Sequence, residues 1–200
     1  EKKTRSEYHA FTSWDATAAG EAKAFADFWK LLTDTIEYAR ANKYGVKIYH
    51  YSSHEISAFK RLAKLHAGLP GVPTEAEVDA MVKWDGWIDL FPVLKSQMIW
   101  PTAGYSVKDL AKYARHSWTG DGASGALSLI QYANAVSHED PDEREIAQEE
   151  LLVYNREDNE ATLRIRDWIS ELSVTEQRPG EKLDSIESRD GFWNALRKVQ

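Results

Sequence analysis

YNREDNEATLRIRDWI, residues 154–169, decides how this chain folds. Ala161, Ile165 and Trp168, with Leu172 just beyond, recur at helical spacing and form one apolar stripe. Tyr154 and Asp158 stand four residues apart, so one helical turn places both on the same face. The pattern predicts a long helix from near Pro141 to about Leu172.

Working outward, EYHAF from Glu7 reads as a short strand, although its alternation is imperfect. Residues 15–20 read as a loop. From Glu21 the period becomes helical, with Ala22, Phe25, Phe28, Trp29, Leu32 and Ile36 on one stripe. That helix should end in residues 42–45, where Asn42 and Gly45 favour a left-handed cap. VKIYHY from Val46 is a strand. HEISAFKRLAKLHAG from His54 is a helix carrying Ile56, Phe59, Leu62 and Ala63, closed by Gly68.

Beyond the loop at residues 69–73, Thr74 and Glu77 form a capping box for a short helix. WIDLF is a short strand carrying Asp89, and Val93, Leu94 and Met98 continue as a helix or turn. Pro101 to Gly104 interrupts the chain. Ser106 then caps a helix containing Val107, Leu110, Ala111 and Ala114, and Leu127, Ile130 and Ala133 lie on another. Strand, helix, strand, helix, strand, then several helices is an α/β order. The weakest point of the tail is residues 177–180.

Composition narrows the function. A hydrophobic content of 42% supports one packed core, and no Cys is present, which excludes disulfides and thiolate metal sites. A formal charge of −7 argues against a broad, nonspecific nucleic-acid binder, though not against a local cluster of acids. No apolar run is long enough for a membrane span and the start carries no secretory signal, so the expected location is cytoplasmic. Eight Trp and nine Tyr serve either core packing or base stacking.

Three acids are candidates for chemistry. Glu55 follows a strand end, where it faces a ligand at the sheet's carboxyl edge or stabilises exposed helix N–H groups. Asp158 is either a ligand or a solvated surface acid, and Asp89 either a ligand or a cap. The histidines lack an HExxH pattern, and GDGASG from Gly120 lacks the Lys of a P-loop. Lys60, Arg61, Lys108, Lys112 and Arg115 either contact a nucleic-acid backbone or are scattered surface charge.

Taken in order, YHAFTSWDATAAGEAKAFADFW, IYHYSSHEISAFKRLA, WIDLF, GYSVKDLAKYA and YNREDNEATLRIRDWI resemble the ribonuclease-H-like DEDD exonucleases. The branch is the one whose last motif is Tyr-x-x-x-Asp, of the kind associated with RecB-type nucleases and helicases. The resemblance implies a ribonuclease-H-like mixed sheet flanked by helices over residues 1–172, lacking its first strands, with residues 173–200 as an appendage or linker. It implies a 3'-5' exonuclease acting on DNA or RNA with Mg²⁺ or Mn²⁺, and a nuclease or helicase domain as partner. By that resemblance Asp158 binds the metal on the nucleophile side and Glu55 helps hold the other. Tyr154 orients the attacking water, being a poor base near neutral pH. Asp89 is a further ligand or supports one.

Tyr51 and Glu55 stand where the family's second motif has Asn-x-x-x-Asp. Tyr51 cannot reproduce a carboxamide, and Glu55 carries an extra methylene. The first motif, with two of the family's four carboxylates, would precede Glu1. Residues 1–200 alone are therefore expected to be weak or inactive as a nuclease. Two other functions compete: a noncatalytic nucleic-acid-binding or assembly module, and a partner-binding structural domain.

Overall fold

The computed structural model describes residues 6–97, 102, 104–119 and 125–172. The expected tail at 173–200, most of the glycine-rich GDGASG segment, Met98 and Pro101 lie outside the described residues.

The centre is a βαβ unit. Strand β1 (Ile48–His50) is followed by α2 (His54–Leu65) and α3 (Glu75–Val82), and β2 (Trp87–Asp89) returns parallel to β1. The register is Ile48 to Trp87, Tyr49 to Ile88 and His50 to Asp89. Parallel neighbours need a crossover, which α2 and α3 supply. Thr74 and Glu77 close the expected capping box on α3.

Successive strand residues point to opposite faces, and β2 divides two cores this way. Trp87 packs with Phe25, Trp29, Leu32 and Ile36 of α1 (Ala18–Ala41), with Ala63 of α2 and Val78 of α3. Its neighbour Ile88 packs on the other side with Tyr51, with Leu90 and Leu94 of α4 (Leu90–Gln97), and with Leu110 and Ala111 of α5 (Val107–Ala111). That side is closed by Ala161, Ile165 and Ile169 of α7 (Pro141–Leu172). Helix α6 (Gly125–Ser137) packs along α7, with Gln148 Nε2 donating to the Ala135 carbonyl at 2.9 Å. Helices on both sides of a parallel pair bear out the α/β expectation. Among the described residues the sheet has two strands, both parallel, in place of the expected mixed sheet.

The segment near residues 7–13 does not join that sheet. It forms no strand and lies across helices through side chains instead. Phe11 sets its ring edge-on to Phe28 of α1 at 5.8 Å, and Tyr8 Oη donates to Asn155 Oδ1 of α7 at 3.0 Å. Tyr132 Oη of α6 donates to the Ser13 carbonyl at 3.1 Å. Imperfect alternation left the segment without one continuous apolar face, and its rings found helices.

Ile165 is fully buried, whereas Ile146, on the same helix, is 51% exposed. Ile165→Ala is expected to cost about 2–5 kcal/mol. Ile146→Ala should stay within about 0.5 kcal/mol. Urea unfolding of both variants checks the assignment of the α7 core face.

Candidate functional site

The carboxyl end of the strand pair holds two of the expected acids. Asp89 Oδ1 accepts the Ser52 N–H at 2.7 Å and the Phe91 N–H at 2.9 Å. It therefore ties the exit of β1 to the first turn of α4. Ser52 has φ +71°, a left-handed conformation that a residue with a Cβ adopts only under constraint. His50 Nδ1 donates to the Ser52 carbonyl at 2.7 Å, so Ser52 is held on both its N–H and its C=O.

Two residues past this turn is Glu55, in the first turn of α2. Its Oε2 is buried and lies 3.7 Å from His50 Nδ1, too long for a hydrogen bond but within ion-pair range. Burial resists charge on the His50 ring. The Glu55 and Asp89 carboxylates and the Ser52 carbonyl outweigh that resistance and hold its pKa above 6.5. His50 Nε2 is buried without a hydrogen-bond partner among the described residues.

Tyr51, in the position compared with a motif asparagine, is a core residue. It is 7% exposed, packs edge-on to Phe91 and donates its hydroxyl to the Tyr105 carbonyl at 2.5 Å. Burial, then the charges of Asp89 and Asp109, push its phenol above the ordinary range.

The second group lies on α7. Asp158 Oδ1 accepts the indole N–H of Trp118 at 2.8 Å. One residue earlier, buried Glu157 accepts the Thr119 N–H at 3.1 Å and the Thr119 hydroxyl at 2.7 Å. The 118–119 segment is thus clipped to α7 by two consecutive acids. Tyr154, one turn from Asp158 as its spacing requires, carries the Lys108 ammonium 5.1 Å from its ring centroid. The same ammonium lies 5.7 Å from the Trp118 ring. Tyr154 also lines a cavity of about 1080 Å³ walled by Phe11, Trp14, Phe28 and Tyr132.

Spacing put Tyr154 and Asp158 on one helix face, and the family resemblance singled them out as a candidate site. Spacing did not reveal Trp118, Thr119 or the role of Glu157, because their partners lie 38 to 40 residues away in sequence. His54, adjoining Glu55, is exposed, and His66 is buried against Glu21 at 2.7 Å. Of the basic residues, Lys60 pairs with Asp79 and Arg61 with Glu21.

A model of the RNase_H superfamily matches residues 3–170. The chain belongs to the RNase H superfamily. No curated protein and no solved structure matches it in the same comparisons. Membership suggests a nuclease-like function and nucleic-acid binding. RNase H-like nucleases generally use divalent metals. Among the described residues of this superfamily member, no group of three or more His, Cys, Asp or Glu is placed to hold an ion. Asp89 Oδ1 serves two backbone N–H groups and Asp158 Oδ1 serves Trp118. These residues do not by themselves fit a closed metal cage. No described helix is long and apolar enough to cross a membrane.

Asp89→Ala leaves the Ser52 and Phe91 N–H groups without their acceptor and should cost about 1–3 kcal/mol in urea unfolding. Asp89→Asn keeps an acceptor oxygen and should cost clearly less. For His50, the folded pKa lies above 6.5, so protonation favours the native state. That contribution is complete below about pH 6.5 and fades as pH rises through the higher folded value. The stability difference between wild type and His50→Gln, followed by urea midpoint from pH 5 to 9, should shrink across that rise.

Proposed function

We propose that this domain serves a nuclease that hydrolyses phosphodiester bonds of DNA or RNA; the 3'-5' exonuclease form is what the family resemblance alone implies. The observation carrying it is the Tyr154–Asp158 pair on one face of α7, with the Lys108 cation over the Tyr154 ring and the aromatic cavity beside it. A carboxylate, a phenol, a cation and stacking surfaces are the groups that handle a nucleic-acid end. In this reading Tyr154 orients the attacked phosphate and its water, and Asp158 carries negative charge at the reacting centre. Glu55 contributes a second carboxylate from the turn that Asp89 holds.

The chemistry calls for Mg²⁺ or Mn²⁺, with Glu55, Asp158 and Asp89 as the acids offered toward it. Because the described acids do not close a cage, this domain's own work is to bind and orient nucleic acid, and further carboxylates complete the site. A noncatalytic nucleic-acid-binding module is the second reading. The Trp118 N–H already occupying Asp158 favours it.

A nuclease assay on the full-length protein with Mg²⁺ or Mn²⁺, beside Asp158→Asn, separates the two. Cleavage should fall at least the ten- to hundredfold that losing even an outer metal-site partner costs. Binding without any metal-dependent cleavage in the wild type would establish the module instead.

A further inference from the structure

Most of the cations singled out by the sequence have an evident fate. Lys60 lies 2.6 Å from Asp79, and Arg61 lies 3.4 Å from Glu21. Lys112 and Arg115 are exposed. Lys108 differs. It is half-buried, its ammonium lies over the rings of Tyr154 and Trp118, and among the described residues no carboxylate comes within ion-pair distance.

Two rings attract a cation from their faces. They hold the ammonium in place but accept poorly from its three N–H donors. The acid in the same cluster, Asp158, accepts from Trp118 through Oδ1. An oriented cation with donors to spare is a receptor for an anionic oxygen. Beside it opens the cavity of about 1080 Å³, with Phe11 set against Phe28 and Trp14 against Tyr132 on its walls. Tyr154 belongs to both places: its ring carries the cation and its side chain lines the cavity.

We propose that Lys108 binds a backbone phosphate of a single strand while the neighbouring base enters the aromatic cavity beside Tyr154. This rests on the nucleic-acid reading above and names the form of its ligand. A single strand fits because its bases are free to leave the stack, whereas a duplex would have to unpair first. The acidic chain, at −7, offers no broad basic surface. Affinity must then come from a few point contacts plus stacking, and the salt dependence should be shallow. Each phosphate contact on a single strand contributes a slope of about −0.7 in log affinity against log salt.

The test measures fluorescence anisotropy of a labelled oligothymidylate of roughly ten nucleotides. EDTA is present, so cleavage plays no part, and salt is titrated upward from about 50 mM. Lys108→Met should weaken binding several-fold and flatten the salt slope by about 0.7. Lys108→Arg should keep the slope. Lys112→Met removes the same charge one turn away and should leave both affinity and slope near wild type. Phe11→Ala should weaken binding without changing the slope. Circular dichroism melts confirm that each variant is folded.

A slope for Lys108→Met equal to that of wild type overturns the proposal, as does an equal loss in Lys112→Met or stronger binding of a duplex competitor. Metal-dependent cleavage by the full-length protein together with an unchanged Lys108→Met slope removes only this proposal. No oligonucleotide binding by wild type removes both it and the nucleic-acid reading.

Discussion

The carboxylate of Asp89 is the constraint on which the rest of the site depends. Through one oxygen it holds the Ser52 N–H at the end of β1 and the Phe91 N–H at the start of α4. Ser52 is left-handed without being glycine, a conformation that costs roughly 1–3 kcal/mol. A hydrogen bond to a charged group contributes roughly 1.5–3 kcal/mol, so this clamp is of the size needed to hold the turn. The turn in turn sets where α2 begins. With it go the position of Glu55 and the buried His50 ring that meets the carboxylate. Of the two roles open to it, the structure shows Asp89 in that of a cap.

Helix α7 is the second support. Ala161 and Ile165 are fully buried in the core on one side of it. The turns before them present Tyr154, Glu157 and Asp158 to a distant part of the chain. Anchoring and presentation share one rigid element, so the candidate catalytic pair cannot shift without disturbing the core. The clip from Trp118 and Thr119 has a chemical consequence as well. Asp158 is a polarised, partnered acid before any ligand arrives.

The aromatic residues divide between two uses. Phe25, Trp29, Phe59 and Trp87 pack the core around α1, with Phe25 and Phe59 stacked at 5.9 Å. Phe11, Trp14 and Tyr132 wall the large cavity, whose floor Phe25 and Phe59 share from the core side.

The sequence by itself determined the main helices, because their signals are local, although α1 begins at Ala18 behind a Thr17 cap and not at Glu21, and its left-handed residue is Lys43 and not Asn42 or Gly45. The Thr74–Glu77 box, the α1 stripe and the 3.6-residue period of α7 lie within a few residues of the structure they specify. It also determined that Tyr154 and Asp158 share a face, and the family resemblance carried by the ordered segments reached the RNase H superfamily. Tertiary structure alone decided that residues 7–13 would lie on helices and not in the sheet, since a strand exists only if an edge accepts it. It alone decided that Tyr51 is core, that Trp118 caps Asp158 and that Lys108 stands over Tyr154. The hydrogen bonds of Trp118, Tyr51 and Tyr8 join residues 40, 54 and 147 positions apart, and a local pattern carries no record of which distant surface will meet it.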